Sequence, residues 1–139
     1  MLIRVEGIDA SKKESIPFEI YETRGKIYRD LGKPTEAIPY LELAEQALVS
    51  ANSVTPRWPA LLEISRAQTF CDAGDMKKGT ELARKGFILA YQCHSRRQMN
   101  WVRKFLRKLE SGPARNHPGV PELKHLVYET YMNMDNAAI

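Results

Sequence analysis

The side chains able to bind a metal or attack a substrate are few in this chain, and they stand apart. There are two cysteines and three histidines: Cys71, Cys93, His94, His117 and His125. Cys93 and His94 are adjacent, but a structural zinc site needs two closely spaced ligand pairs, and no second pair follows. Two cysteines make no disulfide framework. Both fall in helical patterns, where a free thiol is ordinarily a small buried apolar group. No serine-histidine-aspartate set, no paired carboxylates and no G-x-x-x-x-G-K-S/T phosphate loop are present. The expectation is a protein that is not an enzyme and uses no metal and no cofactor.

Charge is the other chemistry on offer, and it is unevenly spread. Residues 1–76 carry 9 Lys/Arg against 12 Asp/Glu, and residues 77–139 carry 12 against 5, so a net charge of −3 gives way to +7. Arg96, Arg97, Arg103, Lys104, Arg107 and Lys108 recur as pairs seven and four residues apart, which places them on one helical face. The opposite face carries Trp101, Val102, Phe105, Leu106 and Leu109. Three readings fit the basic face: a solvated surface on a terminal helix, a contact for phosphate or nucleic acid, or a contact for an acidic protein.

The elements that hold these groups are helical. Phe18, Tyr21, Gly25, Tyr28 and Leu31 recur at three- and four-residue spacing, which predicts a first helix over 16–31, capped by Ser15 with Pro17 in its first turn. Gly32 ends it in the left-handed conformation. Pro34 opens a second helix to about Ala51, with Ala37, Leu41, Ala44 and Leu48 as its buried stripe and a bend caused by Pro39 near Thr35. Residues 52–55 read as a linker, and Thr55-Pro56 as the cap and first position of a third helix ending at Gly74. Asp75 caps a fourth helix, Ser95-x-x-Gln98 is a capping box for a fifth running to about Glu110, and Gly112-Pro113 breaks it. Val120, Leu123, Val127 and Tyr131 predict a sixth. A leader over 1–14 and a frayed tail over 135–139 flank the helices. No alternating β-branched run argues for strands, so the fold class is all-α. At 139 residues this is one domain. No run reaches the roughly 18 apolar residues of a membrane span, and the opening MLIRVEGIDA is not a signal peptide, so the expected location is cytoplasmic.

The chain is also written twice. Residues 20–32 are answered by residues 62–74 at a constant offset of 42, which pairs Gly25 with Ala67, Tyr28 with Phe70, and Gly32 with Gly74. A period of this size marks stacked helix hairpins, none of which buries its apolar face alone. The unit resembles the tetratricopeptide repeat. Tyr21, Gly25, Tyr28, Gly32, Ala37, Leu41 and Ala44 match in the first unit, and Ala67, Phe70, Gly74, Gly79, Ala83 and Gly86 in the second. Small residues at Gly25 and Ala37 let two helix axes approach, and Tyr28 and Phe70 are expected to fill the gap between neighbouring pairs. Arg24 and Arg66 depart from the family's usual Leu, and the period exceeds the usual 34 residues by eight, which fall around residues 50–59. The segment from Ser95 to Leu123 is similar to the closing part of such arrays in bacterial helix-turn-helix or signal-transduction NTPase regulators.

The resemblance implies a short right-handed solenoid of three antiparallel pairs: repeat 1 over 16–51, repeat 2 over 56–93, and a capping pair over 95–134. It implies a protein- or peptide-binding scaffold serving a regulatory system, with Glu19, Glu22, Lys26, Arg29, Leu61, Ile64, Gln68 and Cys71 lining a concave groove. Leu61 and Ile64 have a second reading, as residues packed under the fifth helix. In the chaperone-binding branch, a clamp for a peptide's carboxylate needs Lys where Glu22 and Ile64 stand, so the match to that branch is poor. Nucleic-acid contact through the fifth helix, or self-association through the Phe18 and Ile20 side of the first hairpin, are the alternatives. No membrane partner is expected.

Overall fold

A computed structural model describes residues 10–51 and 57–137, which form six helices and, among the described residues, no strand. They are α1 (Ala10–Asp30), α2 (Pro34–Ser50), α3 (Arg57–Asp72), α4 (Met76–Gln92), α5 (Arg96–Glu110) and α6 (Gly119–Ala137). The expected cap at Thr55-Pro56, the 52–55 linker and most of the leader lie outside the described residues.

Three turns repeat one hydrogen-bond pattern. Gly32 N–H donates to the Arg29 carbonyl and Lys33 N–H to the Tyr28 carbonyl; Gly74 and Asp75 do the same to Cys71 and Phe70, and His94 and Ser95 to Tyr91 and Ala90. Each pair is a Schellman closure, which satisfies the last carbonyls of the helix and requires a left-handed residue at its centre. Gly32 (φ 78°) and Gly74 (φ 93°) supply it freely, whereas the third turn uses His94 (φ 59°), a side chain that carries a steric cost there. The spacing analysis did not mark His94, because it searches for glycine.

The two repeated hairpins are closed by small residues. A Cβ on Gly25 would lie 2.6 Å from Leu41 Cδ2. In the second hairpin the small residues have moved to the opposite helix: Gly79 meets Cys71 and the Ala67 carbonyl, and a Cβ on Gly86 would lie 2.8 Å from Ile64 Cγ1. The 42-residue register therefore holds in the packing, with glycine exchanged from α1 to α4. Close approach of backbones excludes water and maximises dispersion contacts.

The aromatic expectation needs correction. Tyr28 stacks on Tyr40 of its own hairpin (centroids 5.3 Å apart, planes 7° apart), and Phe70 receives Lys78 of its own hairpin 4.5 Å above its ring. The seam between hairpins is filled instead by Phe18 stacked on Trp58 (4.9 Å) with Leu41, Ala44 and Leu62 around them. Phe18 is thus buried in the seam and is not part of an open N-terminal face; the exposed apolar side chains of the first hairpin are Ile27, Leu31, Leu43 and Val49. Arg66, the counterpart of Arg24 at the 42-residue offset, crosses the same seam: its Nη1 holds Glu45 of α2 at 2.6 Å and Glu63 at 3.0 Å, and Lys85 reaches Glu63 from α4 at 3.2 Å. Those partners let a buried Glu63 stand where the first unit has Tyr21.

Other boundaries shift. α1 begins at Ala10, so Ser15 lies inside it and Pro17 is internal. A proline removes one backbone bond but keeps a helix-compatible φ, and residues 10–14 hold no breaker to stop the helix. Pro59 lies in the first turn of α3, and the helix of α6 continues through residues 135–137 of the expected frayed tail. Asp75 caps α4 as expected, accepting from Lys78 N–H at 3.1 Å. Ser95 accepts from Gln98 N–H at 3.4 Å, but the Gln98 amide does not return the bond; it donates to the Arg57 carbonyl at 3.2 Å, tying α5 to the start of α3.

The last pair is more open. α5 and α6 each pack more heavily on α4 than on one another. α6 seats Gly119 against Thr80 of α4, buries Val120, Leu123 and Val127, and links to α4 by Arg84–Glu122 at 3.2 Å. It reaches α5 through the Lys124–Glu110 ion pair at 3.3 Å and through Tyr131, which donates to Asn100 Oδ1 at 2.9 Å and lies 4.9 Å beneath the Arg103 guanidinium.

Candidate binding cleft

Because the hairpins stack with first helices side by side, the C-terminal ends of α1, α3 and α5 converge. α5 then turns away at Gly112-Pro113, and the space left is a cleft of about 400 Å³. Its floor and walls are Met76, Trp101, Phe105 and Leu109, with Gln68 and Cys71 from α3, Arg29 from α1, Lys108 from α5, and Ala114 from the turn. That volume suits one or two side chains of a ligand, and the mix of apolar lining with a few polar groups is that of recognition sites in general.

Arg29 is the notable group. Its side chain is only 8% exposed, its Nε donates to Asp30 Oδ1 at 3.4 Å, and its Nη1 has no acceptor among the described residues. A buried guanidinium N–H without an acceptor is costly and leaves a donor free for a ligand oxygen. Glu22, one heptad earlier on α1, is likewise buried with Oε2 unpartnered. Its pKa is raised by burial, an effect that Lys26 and Arg29 partly oppose. Burial, then Asp72 and Asp75, push the Cys71 thiol up to about 12, which disfavours its thiolate.

Of the eight groove residues expected from the sequence, the structure brings Arg29, Gln68 and Cys71 together in the cleft. Ile64 is buried against Gly86 and Glu22 is covered, so neither offers a free surface, while Leu61 is half-buried against the Phe18–Leu62 seam. Glu19 is exposed and Lys26 half-buried, and neither reaches the cleft. On the basic face, Arg96, Arg97, Lys104, Arg107 and Lys108 are exposed, while Arg103 turns inward over Tyr131. Sequence reasoning missed Met76, Trp101 and the 112–114 turn as cleft residues. The 42-residue offset could not find them, because it does not extend into α5.

A larger groove of about 830 Å³ runs between α4 and α6, past Ile88, Leu89 and Leu126. Along its rim Arg84 meets Glu122, Lys85 meets Glu63 and the His125 ring contacts Glu129 at 2.7 Å, while Glu81 has no ion pair among the described residues. Among the described residues no group of three His, Cys, Asp or Glu could hold a metal, and no helix is long and apolar enough to cross a membrane. Comparison with protein-family models, with curated proteins and with solved structures finds no match to this chain.

Proposed function

We propose that this chain is a short tetratricopeptide-like array that recognises a peptide segment of another protein, as the non-enzymatic interaction part of a bacterial regulatory system. The observation that carries the reading is the cleft at the converging ends of α1, α3 and α5, apolar at its base and holding a buried guanidinium with a free donor. The 42-residue offset and the small residues that close both hairpins support the likeness to the repeat family. Recognition by such a site places an anchoring side chain in the cleft while the peptide backbone runs along the first helices.

Selection from a displayed library of random 12-residue peptides tests the reading. Peptides enriched on the wild-type protein are expected to lose at least about tenfold in affinity for Ala114→Trp, which fills the cleft from the turn. Enriched peptides that bind this variant undiminished would place recognition elsewhere and remove the reading.

A further inference from the structure

The cleft and the basic face of α5, read separately from the sequence, are one surface. Lys108 belongs to both: it lines the cleft beside Phe105 and Leu109, and it stands four residues after Lys104 and eleven after Arg97 on the same exposed flank. The cationic strip therefore starts at the cleft wall and runs back along α5. Arg29, on the opposite wall, adds the unpartnered Nη1 of a side chain that is more than nine-tenths buried. Two carboxylates also lie at the cleft. Asp30 is taken by Arg29 Nε, and Asp72 is exposed at the end of α3, across the cleft from Lys108.

Resting on the peptide-recognition reading above, the geometry points to an acidic segment of a partner protein carrying one bulky apolar side chain as the occupant. The apolar side chain fills the space between Met76, Trp101 and Phe105. The carboxylates that follow it lie along Lys108, Lys104 and Arg97, and a ligand oxygen meets the free donor of Arg29. Charge complementarity selects this partner over a neutral or basic one, because the five exposed cations on α5 make no ion pair among the described residues, whereas Arg84 and Lys85 at the α4–α6 groove are each paired with a glutamate. A polynucleotide is drawn to the same cationic strip, so it is tested directly against the peptide.

Fluorescence anisotropy with four labelled probes decides it: an Asp/Glu-rich 10-residue peptide with one central Phe, the same peptide with Ala for Phe, the same with Asn/Gln for Asp/Glu, and a single-stranded oligonucleotide of equal charge. The first is expected to bind wild type at least about tenfold more tightly than either altered peptide and than the oligonucleotide. Lys104→Glu/Lys108→Glu, at exposed positions that leave the fold intact by circular dichroism, loses about tenfold or more, and Asp72→Asn gains about two- to threefold by removing a like charge. Equal binding of the Ala peptide, unchanged affinity of the double variant, weaker binding by Asp72→Asn, or tighter binding of the oligonucleotide would each overturn the proposal. Library peptides that are neutral yet still blocked by Ala114→Trp would defeat this inference while leaving peptide recognition at the cleft standing.

Discussion

The first two helix pairs and the last pair solve the same packing problem differently. α1 with α2 and α3 with α4 are drawn together at Gly25, Gly79 and Gly86, where an added Cβ would run into the facing helix. α5 and α6 have no such residues at their mutual contact. They lean more heavily on α4 than on each other and meet through polar contacts, the Tyr131 hydroxyl and ring and the Lys124–Glu110 ion pair. The openings of the molecule follow from that difference: the cleft on the α1–α3–α5 side and the groove on the α4–α6 side both border the last pair. Close packing closes the first two pairs, and the more loosely paired end leaves the open surfaces.

The comparison breaks most readily at the glycines. Gly86→Leu and Gly25→Leu overfill the closed hairpins and are each expected to cost about 1–3 kcal/mol or more in chemical denaturation. Either variant unfolding with an unchanged midpoint would show that the hairpins are not closed by these contacts. Tyr131→Phe removes one hydrogen bond from the open pair and is expected to cost about 1 kcal/mol. Hydrogen exchange should quicken in α6 while α1 and α2 stay protected; equal acceleration throughout would mean the pairs do not differ in local stability.

Two smaller effects sharpen the picture. His94→Gly relieves the left-handed side chain at the third Schellman turn and is expected to raise stability by roughly 1 kcal/mol. A lowered melting temperature would mean that the His94 side chain contributes more than its backbone costs. Glu22 carries a raised pKa, so in the window from its ordinary value up to its folded value the native state holds the extra proton. Its contribution to stability therefore declines as pH rises through that window. Glu22→Gln should remove this decline and gain on wild type at neutral pH, as read from the difference between the two stability–pH curves. A difference that does not change across the window would contradict it.

The sequence made the scaffold legible for a physical reason: hairpin closure by small residues and Schellman turns at glycine are local, and they recur at a fixed offset. The same logic explains the misses. Ser15 looked like a cap because Pro17 followed it, yet a proline costs one backbone bond and the preceding residues hold no breaker. Tyr28 and Phe70 were assigned to the seam by their spacing, but Phe18 and Trp58 fill it, and that pairing spans two helices at no fixed offset. Of the expected groove residues, Arg29, Gln68 and Cys71 line the cleft, Ile64 is buried in line with its second reading as a packed residue, and the charge of Glu22 gives no sign in the sequence that its side chain is covered. The cleft itself was not legible. It arises where α5 ends, beyond the repeat, and joins parts of three helices and a turn.

The most direct measurement is a titration of a library-selected peptide into isotopically labelled protein, followed by backbone amide shifts. The account predicts that perturbations gather at Arg29–Asp30, Gln68–Met76, Trp101–Leu109 and Gly112–Ala114, while Ile88, Leu89 and Leu126 remain unmoved. Shifts gathered instead along the α4–α6 groove, with the cleft silent, would contradict it.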